Sequence, residues 1–305
     1  MPLNRKNLML VVNPAAGKRM SEQVLASVCR ELYTHGWLVT TFVTGRHGDA
    51  TSMAMHYAKN YDRIVAMGGD GTLDEVVTGL LKADLDLPVG FIPAGSTNDF
   101  ASTFGIPREP KEAAVLAATG SIRKIDVAKF NDSYFNFHAA CGPLAQVVND
   151  TPQDIKNQFG YLGYILEGAR DISTWKPVHA TFTANGNTYE GNWIYGGLVS
   201  TVSLGGNILS LPKETVKPDD GIFEAVLVKF PNDLIELGET VSELRSGTFN
   251  GDKVKFFEFS SCTIDTEEPS EWSLDGERVK DITHVDASVM KQRLSLIGAS
   301  EEKEE

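Results

Sequence analysis

Residues 64–77 read IVAMGGDGTLDEVV: an apolar run, three glycines around one aspartate, then a helix-like stretch. RIVAM (63–67) has the length and apolar continuity of a buried strand, and LDEVVTGLLKA has helical patterning. The glycines therefore occupy a strand-to-helix turn at the carboxyl end of a strand, where open α/β sheets bind ligands. Glycines let backbone N–H groups approach phosphate oxygens, and the following helix offers its positive end. Asp70 is out of place in a plain anion-binding loop, so its counter-charge has to come from elsewhere. Thr72 and Glu75 also fit a capping box, T-x-x-E, for that helix. This second reading leaves Asp70 and the glycine density unexplained.

Working outward, the first ~125 residues alternate as βαβ units do. Strands are expected at 8–12, 38–44, 63–67, 88–93 and 122–129. Helices are expected after Ser21 (a cap, with Gly36 as the stop), from near Asp49, after the GGDGT turn and at 110–119. From about 130 the texture becomes β-rich with Asn/Gly/Asp turns, and Asn185-Gly186 is a strong hairpin signal. Helical stretches interrupt it at about 155–173 and 231–246. The fold class is α/β plus all-β: an N-terminal α/β domain followed by a mostly antiparallel, sandwich-like domain.

With 305 residues the chain suits about two domains. Its 28 basic against 41 acidic residues, a net charge of −13, exclude broad nucleic-acid binding. The terminal EEKEE is expected to be a frayed acidic tail. Three cysteines, Cys29, Cys141 and Cys262, lie far apart in no metal spacing, which points to a reducing compartment. No signal peptide and no apolar run of ~18 residues is visible, so a soluble cytoplasmic protein is expected.

Other turns carry candidate chemistry. Asn13-Pro14-Ala15-Ala16-Gly17 follows the first strand, yet a Walker A loop would need Gly at 12 and Ser or Thr at 19, where Val12 and Arg19 stand. PAGSTNDFA (93–101) follows the fourth strand and sets Gly95, Ser96, Thr97 and Asn98 beside Asp99, as a cap or as a second phosphate turn. Thr44 and Gly48-Asp49-Ala50 close the second strand, with Asp49 either the helix N-cap or a nucleotide contact. KPDDGIF (217–223) is an acidic turn or a hard-cation site. SLDGE (273–277) is a D-G turn, or a general base with a second carboxylate. Asp126 interrupts an apolar strand and either holds water around a metal or faces solvent. His138 and Cys141, beside aromatics, read as packing. No G-x-S-x-G elbow is present, which argues against acyl transfer.

NPAAG, TGRHGDA, GGDGTLDEVV, PAGSTNDFA, KPDDGIF and SLDGE, in this order, resemble the diacylglycerol kinase catalytic-domain family and its soluble bacterial lipid-kinase branch. GGDGT alone is shared with NAD kinases; followed by the PAGSTNDFA turn and a late LDGE it is far more specific.

The resemblance implies a three-layer α/β nucleotide-binding domain over 1–128, completed by 285–299, and a β-sandwich lipid-substrate domain over 129–284, with 300–305 a disordered acidic tail. It implies an active site in the interdomain cleft. ATP contacts would be Asn13, Pro14, Ala15, Ala16, Gly17, Thr44, Gly69, Asp70, Gly71, Thr72, Leu73, Asp74, Glu75, Ser96, Thr97 and Asn98. Asp70 and Asp99 would act through Mg2+ and its waters, with Asp126 in their network. A structural Mg2+ would take the carbonyls of Lys217 and Ile222 and the side chain of Asp220. The base would be Asp275 or Glu277.

Asp74 stands where many members have Asn, and Ser96 where Thr is common. The acidic chain fits an anionic bilayer poorly, and Arg5, Lys6, Lys18 and Arg19 are a candidate docking patch. The expected reaction is ATP-dependent phosphorylation of a membrane lipid, foremost diacylglycerol, by transient contact with the inner face of the cell membrane. The alternatives are an NAD kinase-like enzyme and an inactive lipid- or nucleotide-binding regulator. An exposed strand edge in the second domain could support a homodimer.

Overall fold

The structure is a computed structural model that describes residues 5–17, 21–95, 98–150, 175–201, 203–204, 209–211, 215–247, 249 and 252–298. Ser96, Thr97, Lys18, Arg19, the helix expected at 155–173 and the acidic tail lie outside them. The chain forms two compact units, Met1–Ile125 with Gln292–Glu305, and Asp126–Lys291.

In the first unit the strands β1 (Lys6–Val12), β2 (Trp37–Val43), β3 (Arg63–Gly68) and β4 (Val89–Pro93) are parallel and lie in the order β2-β1-β3-β4. β1 and β3 are apolar and buried along nearly their whole length, as parallel strands covered on both faces must be. The last turn of β15 (Glu277–Gly298) adds beside β4, pairing Leu296 with Val89. Helices α1 (Glu22–Thr34) and α5 (Pro110–Thr119) pack together, as do α2 (Asp49–Tyr57) and α3 (Asp70–Lys82). The crossover from β1 to β2 runs opposite to those from β2 to β3 and β3 to β4, so right-handed connections put the two helix pairs on opposite faces. Ser21 caps α1, its Oγ accepting from the Val24 N–H at 3.3 Å. Arg63 ties the end of α5 to the sheet, donating to the carbonyls of Ala117 and Ala118 at 2.5 and 2.8 Å beneath the Trp37 ring.

The second unit is antiparallel. It contains the end of β5 (Ser121–Phe130), β6 (Ser133–Phe135), β7 (His138–Cys141), α6 (Pro143–Asp150), β8 (Val178–Ala184) and β9 (Asn187–Val199). A short ribbon, β10 (Ser203–Leu204) with β11 (Leu209–Ser210), precedes β12 (Phe223–Lys229). Helix α7 (Leu234–Ser246), β13 (Val254–Phe259), β14 (Ser261–Leu274) and most of β15 follow. β9 and β14 are long enough to pair with β8 near one end and with β7 near the other. The sheet thus folds over an aromatic core that includes Phe130, Phe135, Phe182, Trp193, Phe223 and Trp272. Asn185 and Gly186, at φ 52° and 77°, form the two-residue turn between β8 and β9.

Two local expectations fail. Thr72 and Glu75 form no capping box: α3 begins at Asp70, one turn earlier, with Gly69 as a cap that has no side chain to offer. Asp49 is not an N-cap either, because Gly48 takes that position with φ 84°, a conformation a β-carbon would strain.

Candidate active site

The turns after β1, β3 and β4 share one end of the first unit's sheet. The loops after β1 and β3 flank the point where the crossover direction reverses, the position at which such sheets bind ligands. Asn13 sets the first turn: its N–H donates to the Met67 carbonyl at 2.9 Å, and its Oδ1 accepts from the Ala15 N–H at 3.0 Å. Its Nδ2 donates to Thr72 Oγ1 at 3.2 Å, which joins the NPAAG turn to the first turn of α3.

Glycine lets these turns meet backbone to backbone. A β-carbon on Gly17, at φ 63°, would lie 2.2 Å from the Ala94 carbonyl oxygen. One on Gly95 would lie 2.7 Å from Gly69 Cα and 2.9 Å from Asn98 Oδ1. Asn98, at φ 51°, clasps the third turn, accepting from the Gly95 N–H at 3.0 Å and donating to the Gly95 carbonyl at 2.9 Å. Gly95→Ala should push the second and third turns apart, at a cost of about 1–3 kcal/mol. The expected result is a lower melting temperature together with weaker nucleotide binding, read by thermal denaturation and calorimetry.

Asp70 begins α3, and its two carboxylate oxygens accept from the N–H groups of Asp99 and Phe100 at 3.2 and 3.3 Å. The acid in the glycine turn is thereby aimed by the start of the short helix α4 (Asp99–Thr103). Asp74 is buried in α3. Glu75 reaches α2, each of its oxygens accepting one amide, from Gly48 at 3.0 Å and Ala50 at 2.9 Å. Asp49 turns back on its own loop and accepts from the N–H groups of Gly45 and Arg46, which holds its carboxyl below the usual carboxylate range. Thr44 Oγ1 donates to the Val12 carbonyl at 3.3 Å.

In the second unit Asp126 is buried at 2 % exposure, so it does not face solvent. Its Oδ2 accepts from the Gly221 N–H at 2.6 Å, and its own N–H donates to the Pro218 carbonyl at 2.7 Å. The KPDDGIF turn is therefore clamped onto Asp126. Asp220 Oδ1 accepts from the Ile222 N–H at 3.0 Å. Nearby Glu224 is 1 % exposed, and burial, with the carboxylates of Asp220 and Glu258, pushes its carboxyl up to about 8.

The SLDGE turn resolves into two different acids. Asp275, at φ 49° ahead of Gly276 at 96°, makes the tight turn between β14 and β15. Its buried carboxylate accepts from three consecutive N–H groups, those of Asn136 at 2.5 Å, Phe137 at 3.2 Å and His138 at 2.8 Å. Glu277 is half-buried at the start of β15. His138, set down as packing, stacks on Tyr195 with centroids 6.5 Å apart and planes 12° apart. Burial lowers its imidazole from 6.5 to about 4. The folded chain then stays unprotonated where the unfolded chain takes up a proton, so stability falls as pH drops from 6.5 towards 4. His138→Phe should flatten the dependence of melting temperature on pH over that interval.

These parts agree with the comparisons to known proteins. Residues 7–130 match the model of the diacylglycerol kinase catalytic domain. The chain is 31 % identical over 274 residues to a diacylglycerol kinase of Bacillus subtilis (strain 168), covering 89 % of this chain and 90 % of the relative. It is 34 % identical over 241 residues to a diacylglycerol kinase of Staphylococcus aureus (strain JH9), covering 78 % and 75 %. A crystal structure from Bacillus anthracis str. Sterne, provisionally assigned as a diacylglycerol kinase, aligns with TM-score 0.81 and 26 % identity over 97 % of each chain. The fold and the site's turns define a kinase, a phosphate-transferring enzyme. The chain belongs to the bacterial diacylglycerol kinase family. No helix among the described residues is long and apolar enough to cross a membrane.

Proposed function

We propose that the chain transfers the γ-phosphate of ATP to the primary hydroxyl of a diacylglycerol-class lipid, working from the cytoplasm at the inner face of the membrane. The observation that carries this reading is the meeting of three glycine turns, backbone to backbone, around Asp70. Amides of the Asn13–Gly17 and Gly69–Glu75 turns, with Ser96, Thr97 and Asn98, cradle the phosphates, while Thr44 borders the site. Glu75 and Asn98 act chiefly by holding the loops, since their side chains already bind backbone groups.

The carboxylates suit Mg2+, a hard cation bound through oxygens: Asp220 and the carbonyls of Lys217 and Ile222 at one turn with Asp126 behind it, and Asp70 and Asp99 beside the phosphates. Glu224 Oε2, buried and without a hydrogen-bond partner among the described residues, is the kind of orphaned oxygen such an acid-rich turn leaves for a cation's waters. When bound, Mg2+ supplies charge neutralisation at the β- and γ-phosphates.

The acceptor hydroxyl oxygen forms a bond to the γ-phosphorus as the β–γ bridging bond breaks and ADP leaves. Glu277 takes the hydroxyl proton. Asp275 is a positioning residue, because its oxygens are committed to three amides. Phosphoryl transfer needs positioning and charge more than covalent chemistry, and this set of groups provides both. The test is transfer of γ-labelled phosphate to a panel of lipids in micelles, with NAD as a soluble acceptor. Label in diacylglycerol is the expected result; label in NAD, or in no acceptor, would sink the reading.

A further inference from the structure

The second unit's sheet has a face that the aromatic core does not use. Strand register sets His138 beside Val199, Val199 beside Glu224, and Glu224 beside Glu258, in one row across β7, β9, β12 and β13. The adjacent row runs Ser273, Ala140, Gly197, Val226 and Phe256. Core residues Ala139, Leu198, Ala225 and Leu274 alternate with these rows, so the rows point to the other side.

That face is buried and its polar atoms are unsatisfied. Glu224 Oε2 and Ser273 Oγ have no hydrogen-bond partner, and none is seen for the His138 ring among the described residues. Folded proteins satisfy nearly all such groups, so several on one face point to a missing ligand or water. Room for one is present: a crevice enclosing ≈ 180 Å³ borders Ser273, lined by Ala140, Ala145, Gln146 and Trp272. Gly197 keeps the floor low, because its β-carbon would collide with the Tyr195 ring that leans towards His138.

The charge pattern narrows the ligand. Neither row contains a lysine or arginine. Arg278, at the crevice edge, is paired with Glu271 at 3.4 Å. An anionic phosphodiester head would need a cation here, whereas hydroxyl and ester groups need neutral donors and acceptors. Ser273 and the imidazole each supply one donor and at least one acceptor. His138 and Glu224 stand two strands apart, about 10 Å at the backbone, a span suited to a glycerol with its esters.

We propose that this face receives the polar end of the acceptor, with His138, Glu224 and Ser273 hydrogen-bonding an uncharged glycerol-ester headgroup. The proposal rests on the lipid-kinase reading and makes these residues the source of acceptor selectivity. The test is steady-state kinetics of the full chain with a short-chain diacylglycerol or phosphatidylglycerol in neutral detergent micelles. Ser273→Ala and Glu224→Gln should each raise KM for diacylglycerol about tenfold, the loss of one hydrogen bond, with KM for ATP unchanged. Ser273→Ala should also leave the melting temperature unchanged or higher, because it deletes an unsatisfied buried hydroxyl. Unchanged acceptor KM in both variants, or equal use of phosphatidylglycerol by the wild type, overturns this proposal alone. A wild type that labels no lipid overturns it together with the reading it rests on.

Discussion

Asp70→Asn is expected to lower turnover by about two to three orders of magnitude while moving the melting temperature by only a few degrees. The side chains are nearly isosteric, and Asn retains one oxygen that can accept from the Asp99 or Phe100 N–H. The other amide loses its acceptor, a penalty of about 1–3 kcal/mol at a partly buried site. The larger change is electrostatic: the site loses the formal charge that the neighbouring amides aim towards the phosphates. Turnover and thermal denaturation measured on the same preparation separate the two effects. Retention of most of the activity would remove Asp70 from the chemistry.

The second large effect concerns the two acids of the SLDGE turn, which should fail in opposite ways. Asp275→Ala strips the acceptor from three consecutive buried N–H groups and should destabilise the fold by about 3–5 kcal/mol. Glu277→Gln leaves that network intact and should keep stability near wild type while turnover falls about 10²–10⁴-fold, the usual contribution of a general base. Denaturant unfolding of Asp275→Ala and the pH–rate profile of Glu277→Gln give the two readouts. A stable but inactive Asp275→Ala would exchange the roles assigned here.

The strands and helices of the first unit were legible because apolar runs, glycine turns and a serine cap agree locally at each element. The side-chain partners were less so. T-x-x-E reads as a capping box by spacing alone, yet the strand-end glycines start α3 early and leave Glu75 free to reach Gly48 and Ala50. Asp126 could not be assigned to interior or solvent because its partner, Gly221, lies 95 residues away. The same holds for Asp275, whose amides lie 137 to 139 residues away. β14 read as separate short runs because Glu267, Glu268 and Pro269 interrupt it, and its pairing with β15 shifts register there. The turn motifs were visible because they are contiguous; what each carboxylate does depended on contacts across the fold.

The chain passes between its two units within β5 and again within β15. The last crossing returns Leu296 to the edge of β4, Arg293 to Asp84 at 2.5 Å and Ser295 to Asp86 at 2.7 Å. During synthesis the nucleotide-binding half therefore lacks its outermost strand until residues past 290 have left the ribosome. A nascent chain that has made all three glycine turns still waits on its final segment to complete the sheet beneath them. The order of translation thus delays assembly of the phosphate site until the lipid-binding half has been made.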